Sequence, residues 1–138
     1  MATALEARSR VPDTEKITIN LGVVDLGQID LLVQEGFYSN RTDLIRTAIR
    51  NQIAVHGDEL KRAVVRRTMV VGLHHVTAVE LERLRTEGRM LHLHVVGLAR
   101  IANDVTPELA RATIAAVDVL GAFQASAAVR KALADRIL

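Results

Sequence analysis

The sequence predicts an α+β protein built from two parts. Residues 15–57 show one short strand pattern followed by two amphipathic helix patterns, and residues 69–138 show about three repeats of a strand, a glycine and a short helix. A lone strand needs a partner for its backbone hydrogen bonds, so we expect the first part to form an intertwined homodimer. Residues 58–68 are predicted to be a basic linker, and residues 1–14 a flexible arm.

The predicted strand alternates between polar and apolar residues. Such a period of two indicates that one face of the strand is buried and the other is solvated. The apolar face carries Ile17, Ile19 and Leu21, and the polar face carries Lys16, Thr18 and Asn20.

Two helices are predicted after this strand. The first has an apolar stripe formed by Leu26, Ile29, Leu32 and Val33. It ends before Gly36, which is placed to adopt the left-handed conformation that often follows a helix. The second begins at Ser39 or Asn40, either of which can cap the helix, and Asp43 complements the dipole in the first turn. Its apolar face consists of Ile45, Ala48, Ile49 and Ile53.

Strand, helix, Gly-aromatic turn and second helix in this order resemble the ribbon-helix-helix (CopG-type) family of DNA-binding repressors. The resemblance covers residues 15–56, and its most specific part is the run Gly36-Phe37-Tyr38-Ser39-Asn40-Arg41-Thr42-Asp43-Leu44-Ile45-Arg46. It implies that two chains pair their strands into an antiparallel ribbon in the DNA major groove. Residues 69–138 resemble no family that we recognise.

The resemblance assigns roles to three groups of residues. Base contacts are expected from Lys16, Thr18 and Asn20. Phosphate contacts are expected from the start of the second helix and from one exposed arginine: Ser39, Asn40, Arg41, Thr42 and Arg46. The dimer core is expected to contain Ile17, Ile19, Leu21, Ile45 and Ile49.

The side-chain chemistry supports these roles independently. Asn can pair with adenine through two hydrogen bonds, Lys can donate to guanine acceptors, and the Thr methyl can contact thymine. Free amides at a helix N-terminus bind anions. The structural alternative is that the strand has an ordinary solvated face and that Ser39 only caps the helix.

Composition limits the possible classes of protein. The chain has 138 residues, 49% of them hydrophobic but only 2% aromatic, and it has no cysteine, which excludes disulfides. Residues 1–60 hold six Lys or Arg against nine Asp or Glu, and residues 61–138 hold twelve against seven, so DNA binding depends on a few placed cations. No apolar run is long enough for a membrane span and no signal pattern is present, so we expect a soluble, cytoplasmic, nucleoid-associated protein.

The predicted repeats each contain a glycine after two aliphatic residues. Gly97 and Gly121 lie 24 residues apart, and Gly72 lies 25 residues before Gly97. Thr106-Pro107 is a strong helix start, and a last helical pattern, residues 127–138, is expected to close the stack. Because single repeats cannot bury their apolar faces alone, residues 69–138 are predicted to join dimers into tetramers or larger assemblies.

Histidines form the one cluster that suggests ligand chemistry. His92 and His94 are two residues apart on a strand and so share a face, where they could bind a metal. The candidate metal ligands are His74, His75, His92 and His94. No cysteine ligand accompanies them, so we predict no metal site and no cofactor. No catalytic set of residues is found, so an enzyme is not expected.

Double-stranded DNA and a second copy of the chain are therefore the predicted partners, and a membrane is not. The leading interpretation is a repressor whose C-terminal domain assembles dimers. The alternatives are an antitoxin-type autorepressor, a metal-responsive repressor and a DNA-anchored scaffolding protein. A toxin partner is disfavoured because residues 69–138 are too apolar for the disordered, charged tail that it would require.

Overall fold

The computed structural model describes residues 13–138. Its helices are α1 (Val23–Gln34), α2 (Arg41–Val55), α3 (Gly57–Arg66), α4 (Ala78–Thr86), α5 (Pro107–Thr113) and α6 (Ala127–Ala132), followed by a 3₁₀ turn (Ala134–Arg136). Its strands are β1 (Val70–Val76), β2 (Leu91–Ile101) and β3 (Ile114–Gln124). Within the described residues, no helix has the length and apolar composition needed to cross a bilayer. The mixture of helices and strands agrees with the predicted class.

The chain divides into two compact units, and the first contains residues 14–63. The predicted end of α1 is confirmed: Gly36 has a φ of 86°, its amide donates to the Val33 carbonyl, and the Phe37 amide donates to the Leu32 carbonyl. These two bonds form a Schellman motif, which satisfies carbonyls at the helix end. The predicted helix start is also found, with Asn40 as the N-cap of α2.

The segment predicted to be a basic linker, residues 58–68, is mostly helical. Helix α3 starts directly after His56, the C-terminal cap of α2, and the Leu60 amide donates to the His56 carbonyl. The sequence contains the reasons for a helix: Asp58 and Glu59 lie in its first turn, Arg66 lies in its last turn, and apolar residues recur at three- and four-residue spacing. The charged residues of this helix therefore belong to one of its faces.

A three-stranded parallel sheet forms the centre of the second unit, residues 64–138, in the order β1-β2-β3. The strands are longer than the short apolar pieces in the sequence, because β2 and β3 each have eleven residues and continue through their glycine. Gly72 pairs with Gly97, which pairs with Gly121, so the three glycines form a row across the sheet. All three have φ between 122° and 136°, a region that L-residues rarely adopt.

The core of this unit lies between the sheet and its helices. It is aliphatic, and the largest fully buried side chains include Leu81, Leu93, Ile114 and Leu133. The predicted helix start is confirmed, because the Thr106 hydroxyl accepts a bond from the Leu109 amide and Pro107 begins α5. The expected closing helix is shorter than predicted: α6 ends at Ala132, and Ile137 then bridges Val117 of β3.

Candidate nucleic-acid interface

The segment predicted to form the ribbon has no strand partner in the single chain. Residues 14–22 have no regular secondary structure, and all their side chains are exposed. The predicted base-contacting residues Lys16, Thr18 and Asn20 are therefore accessible. The apolar residues between them are accessible as well, with Ile17 73% and Ile19 57% exposed.

No side chain in residues 14–63, all of which the structure describes, is buried by the single chain. Of the five residues predicted to form the dimer core, Ile17, Ile19, Leu21 and Ile49 are exposed, and Ile45 is half-buried. Helices α1 and α2 also leave Leu31, Leu32 and Ile53 exposed. This unit has apolar residues at the spacing of a core but no core within one chain.

The start of α2 is organised by its cap. The Asn40 side-chain oxygen accepts a bond of 2.8 Å from the Asp43 amide, and the Asp43 carboxylate accepts one of 3.0 Å from the Ser39 amide. These reciprocal bonds satisfy two amides and fix the chain as it enters the helix. The amides of Arg41 and Thr42 occupy the first two helical positions, where no intrahelical acceptor exists. They remain available to an anion such as a DNA phosphate.

Arg41 connects the two helices of this unit. Its Nε and Nη2 atoms each donate a 2.7 Å hydrogen bond to Asp30 of α1, one to each carboxylate oxygen. This bidentate pair lowers the pKa of Asp30 and raises the pKa of Arg41, mainly through the hydrogen bonds themselves. Two of the five guanidinium N–H groups are used, so three can still reach a phosphate. The pair also holds the guanidinium beside the first turn of α2.

The two strand histidines predicted to share a face do lie together. The rings of His92 and His94 are parallel, with centroids 6.4 Å apart, and Nδ1 of His94 lies 3.6 Å from the Asp118 carboxylate. That carboxylate also lies 3.5 Å from Arg67. His74 and His75 belong to β1 and pair with Ala99 and Arg100, at the other end of β2. Within residues 13–138, no group of three or more histidine or acidic side chains could hold a metal ion.

Comparison with protein-family models gives a match. The model of the ribbon-helix-helix transcriptional regulator family matches residues 12–130, which is most of the chain. The chain belongs to this family. No curated protein matches it. No solved structure matches it either.

Membership identifies the chain as a DNA-binding transcriptional regulator, a class that is typically not enzymatic. The match extends beyond the resemblance over residues 15–56 and includes α3 and most of the sheet unit. Sequence reasoning did not attribute that second unit to any family.

Two features of the regulator's interface were missed in the sequence. Asp30 and Arg41 are eleven residues apart and in different helices, so no helical period predicts their pairing. Helix α3 was missed because its charges suggested a linker, although its apolar spacing gave the signal. Arg46 is exposed on α2, and its phosphate contact stays a prediction.

Proposed function

We propose that this regulator is a homodimeric repressor that reads the DNA major groove with a two-stranded antiparallel ribbon formed by residues 16–21 of each chain. One observation carries the proposal: the apolar side chains of residues 14–63 are not buried within one chain. A second copy supplies the missing surface and the missing strand together. In this arrangement Ile17, Ile19 and Leu21 turn inward, and α2 contributes Ile45 and Ile49.

Pairing of the apolar residues inward directs the alternate residues outward. Lys16, Thr18 and Asn20 then lie on the face that meets the base edges, because successive strand residues point to opposite faces. Asn20 is proposed to pair with adenine, Lys16 to donate to guanine and Thr18 to contact thymine. Repression requires only that the dimer occupy its operator.

The phosphate contacts are proposed to come from the start of α2 and from Arg46. The free amides of Arg41 and Thr42 form an anion site at the helix N-terminus, with Ser39 and Asn40 beside it. Arg41 contributes its remaining N–H groups, while Asp30 keeps it oriented. A dimer presents two such sites, which compensates for the small number of cations in residues 1–60.

The second unit is proposed to join dimers through a second copy, as a stack of repeated strand, glycine and helix segments. On β1, the outer strand of the sheet, Val70, Val71 and Leu73 are exposed. The other outer strand is partly covered, because the Leu138 amide donates to the Val117 carbonyl. A symmetric contact through β1 gives a tetramer with two ribbons, which binds paired operators cooperatively.

The alternative functions are less well supported. A toxin-binding tail would be disordered when alone, whereas residues 64–138 contain a buried core. A metal-responsive repressor would need more ligands than the His92 and His94 pair provides. A scaffolding role differs from repression in assembly size, so light scattering with and without DNA separates the two.

Selection of bound DNA from random oligonucleotides tests the proposal directly. A homodimeric reader of this kind selects a sequence with twofold symmetry, because each half of the ribbon meets an equivalent half-site. Selection of an asymmetric sequence, or of none, would contradict the proposal. Sedimentation of the protein with the selected duplex gives the number of chains for each operator.

A further inference from the structure

A pocket lies at the carboxyl ends of the three parallel strands in the second unit. Its walls come from the ends of all three: His75 of β1, Arg100 of β2 and Gln124 of β3. The turn after β2 contributes Asn103, and the start of α6 contributes Ser126 and Arg130. Its volume is about 560 Å³, which is within the range of small-molecule sites.

The polar part of the pocket lining consists of cationic and neutral groups. Arg100 comes from β2 and Arg130 from α6, and His75 also lines the pocket. Among the described residues, no carboxylate lines it. Asn103, Gln124 and Ser126 add amide and hydroxyl groups that can donate hydrogen bonds. Charges of one sign in a concave site concentrate the field toward its interior. This lining therefore favours an anion.

Arg130 is held in place before any ligand arrives. Its Nη1 atom donates a 2.7 Å hydrogen bond to the Phe123 carbonyl, and its guanidinium carbon lies 5.4 Å from the centroid of the Phe123 ring. Arg100, near the end of β2, donates a 3.1 Å hydrogen bond from its Nε atom to the side-chain oxygen of Gln124 in β3. The bond from Arg130 to the Phe123 carbonyl uses one of the five guanidinium N–H groups, so a fixed fork of donors remains for an oxyanion. Preorganised donors bind with less loss of side-chain entropy.

We propose that this pocket binds a small anion through carboxylate or phosphate oxygens, with Arg130 and Arg100 as the principal donors. The site belongs to the sheet unit and is independent of the proposed ribbon. It gives the regulator a place for a small-molecule effector. The partly exposed apolar residues of the lining, Ala102, Phe123 and Ala125, suit an organic anion that has a compact carbon frame.

Isothermal titration calorimetry of the full-length protein without DNA tests this site, with pyrophosphate and citrate as probes at constant ionic strength. We expect saturable binding of at least one probe, with one site per chain. The better probe distinguishes a phosphate site from a carboxylate site. Absence of saturable heat from both would overturn the proposal, and the outcome does not depend on whether the ribbon binds DNA.

A pair of neighbouring charge changes supplies the control. Arg130→Gln should weaken binding about tenfold or more, since a hydrogen bond to a charged group is removed. Lys131→Gln removes the same charge from the same helix, but Lys131 does not line the pocket, so binding should be unchanged. Equal losses in both variants would show a non-specific charge effect and overturn the proposal.

A second variant guards against misfolding of the first. Asn103 is exposed in the turn after β2, and Asn103→Asp places a negative charge in the lining. It should also weaken binding, while the melting temperature without ligand stays unchanged. Undiminished binding in Asn103→Asp would place the ligand elsewhere and overturn the assignment.

Discussion

Gly97 lies directly opposite Gly72 in the parallel pair of β1 and β2, and a Cβ atom on Gly97 would overlap the Gly72 carbonyl oxygen. Both glycines have φ values, 136° and 128°, that strain any residue with a side chain. Around Gly72, however, an added Cβ would meet no atom within 4 Å. The two positions therefore separate backbone strain from steric overlap.

Gly72→Ala should lower the free energy of unfolding by about 1–3 kcal/mol, which is the usual magnitude of backbone strain. Gly97→Ala should lower it by roughly 1–3 kcal/mol more, because the backbones of two strands must also move apart. Urea unfolding monitored by circular dichroism measures both. Equal losses in the two variants would mean that the close approach of the glycine row is not as described.

The pair of Asp30 and Arg41 makes stability depend on pH. Because the folded-state pKa of Asp30 is lower than the ordinary value of 3.8, its contribution is present above pH 3.8 and is lost as the pH falls through the folded pKa. Asp30→Asn should therefore be less stable than the parent protein at pH 7, and the difference should disappear well below pH 3.8. The urea concentrations at the unfolding midpoint of the variant and the parent protein, measured at pH 7 and well below pH 3.8, test this.

Glu35→Gln is the control for this prediction. It removes a carboxylate near the end of the same helix without affecting Arg41, so it should not reproduce the loss seen in Asp30→Asn. If both variants behave alike, the general charge of the unit, and not the ion pair, determines its acid stability.

The absence of cysteine makes disulfide cross-linking a clean probe of the ribbon. Opposed residues in antiparallel strands have Cα atoms about 4.5–5.5 Å apart, which suits a disulfide. Among Lys16→Cys, Thr18→Cys and Asn20→Cys, the position nearest the twofold axis should cross-link to its own copy under mild oxidation, and the yield should fall with distance from it. Covalent dimer on non-reducing gels gives the yields.

Equal yields at all three positions would indicate a parallel pairing, and no covalent dimer at any of them would contradict the ribbon. Ile19→Asp provides the structural control. It places two charges in the shared core, so the dimer should dissociate on sedimentation.

Assembly of dimers should depend on the exposed residues of β1. Val71 is 66% exposed on β1. We expect the parent protein to sediment as a tetramer or larger species and the Val71→Lys variant to sediment as a dimer. Val79→Lys, at an 80% exposed position on α4, should leave the assembly intact. Truncation after Ala63 should also leave a dimer, and that dimer should no longer bind paired operators cooperatively. A parent protein that is only a dimer at micromolar concentration would contradict the assembly role.

Local signals predicted the local parts of the fold. Gly36, Asn40 and Thr106 each act at a helix end through neighbours within a few residues, so the sequence contains the full cause of their conformation. The same holds for the shared face of His92 and His94. These features depend on spacing along one element.

Features that depend on distant segments were not predictable in this way. The ion pair of Asp30 and Arg41 forms only when two helices pack, and the pocket forms only when three strand ends meet. The lengths of β2 and β3 were underestimated because each strand continues through a glycine with a positive φ, which looks like a strand end in the sequence. The predicted phosphate and base contacts stay predictions until DNA is bound.

Base reading by the ribbon is tested most directly by the effect of Asn20→Ala on the selected operator and on random DNA of equal length. We expect a loss of roughly 1–3 kcal/mol in binding free energy on the operator and little change on random DNA. Arg46→Ala is the matched control, because removing a charge that binds a phosphate should weaken binding to both DNAs and reduce its salt dependence. Equal losses of Asn20→Ala on both DNAs, or none on either, would contradict base reading by the ribbon.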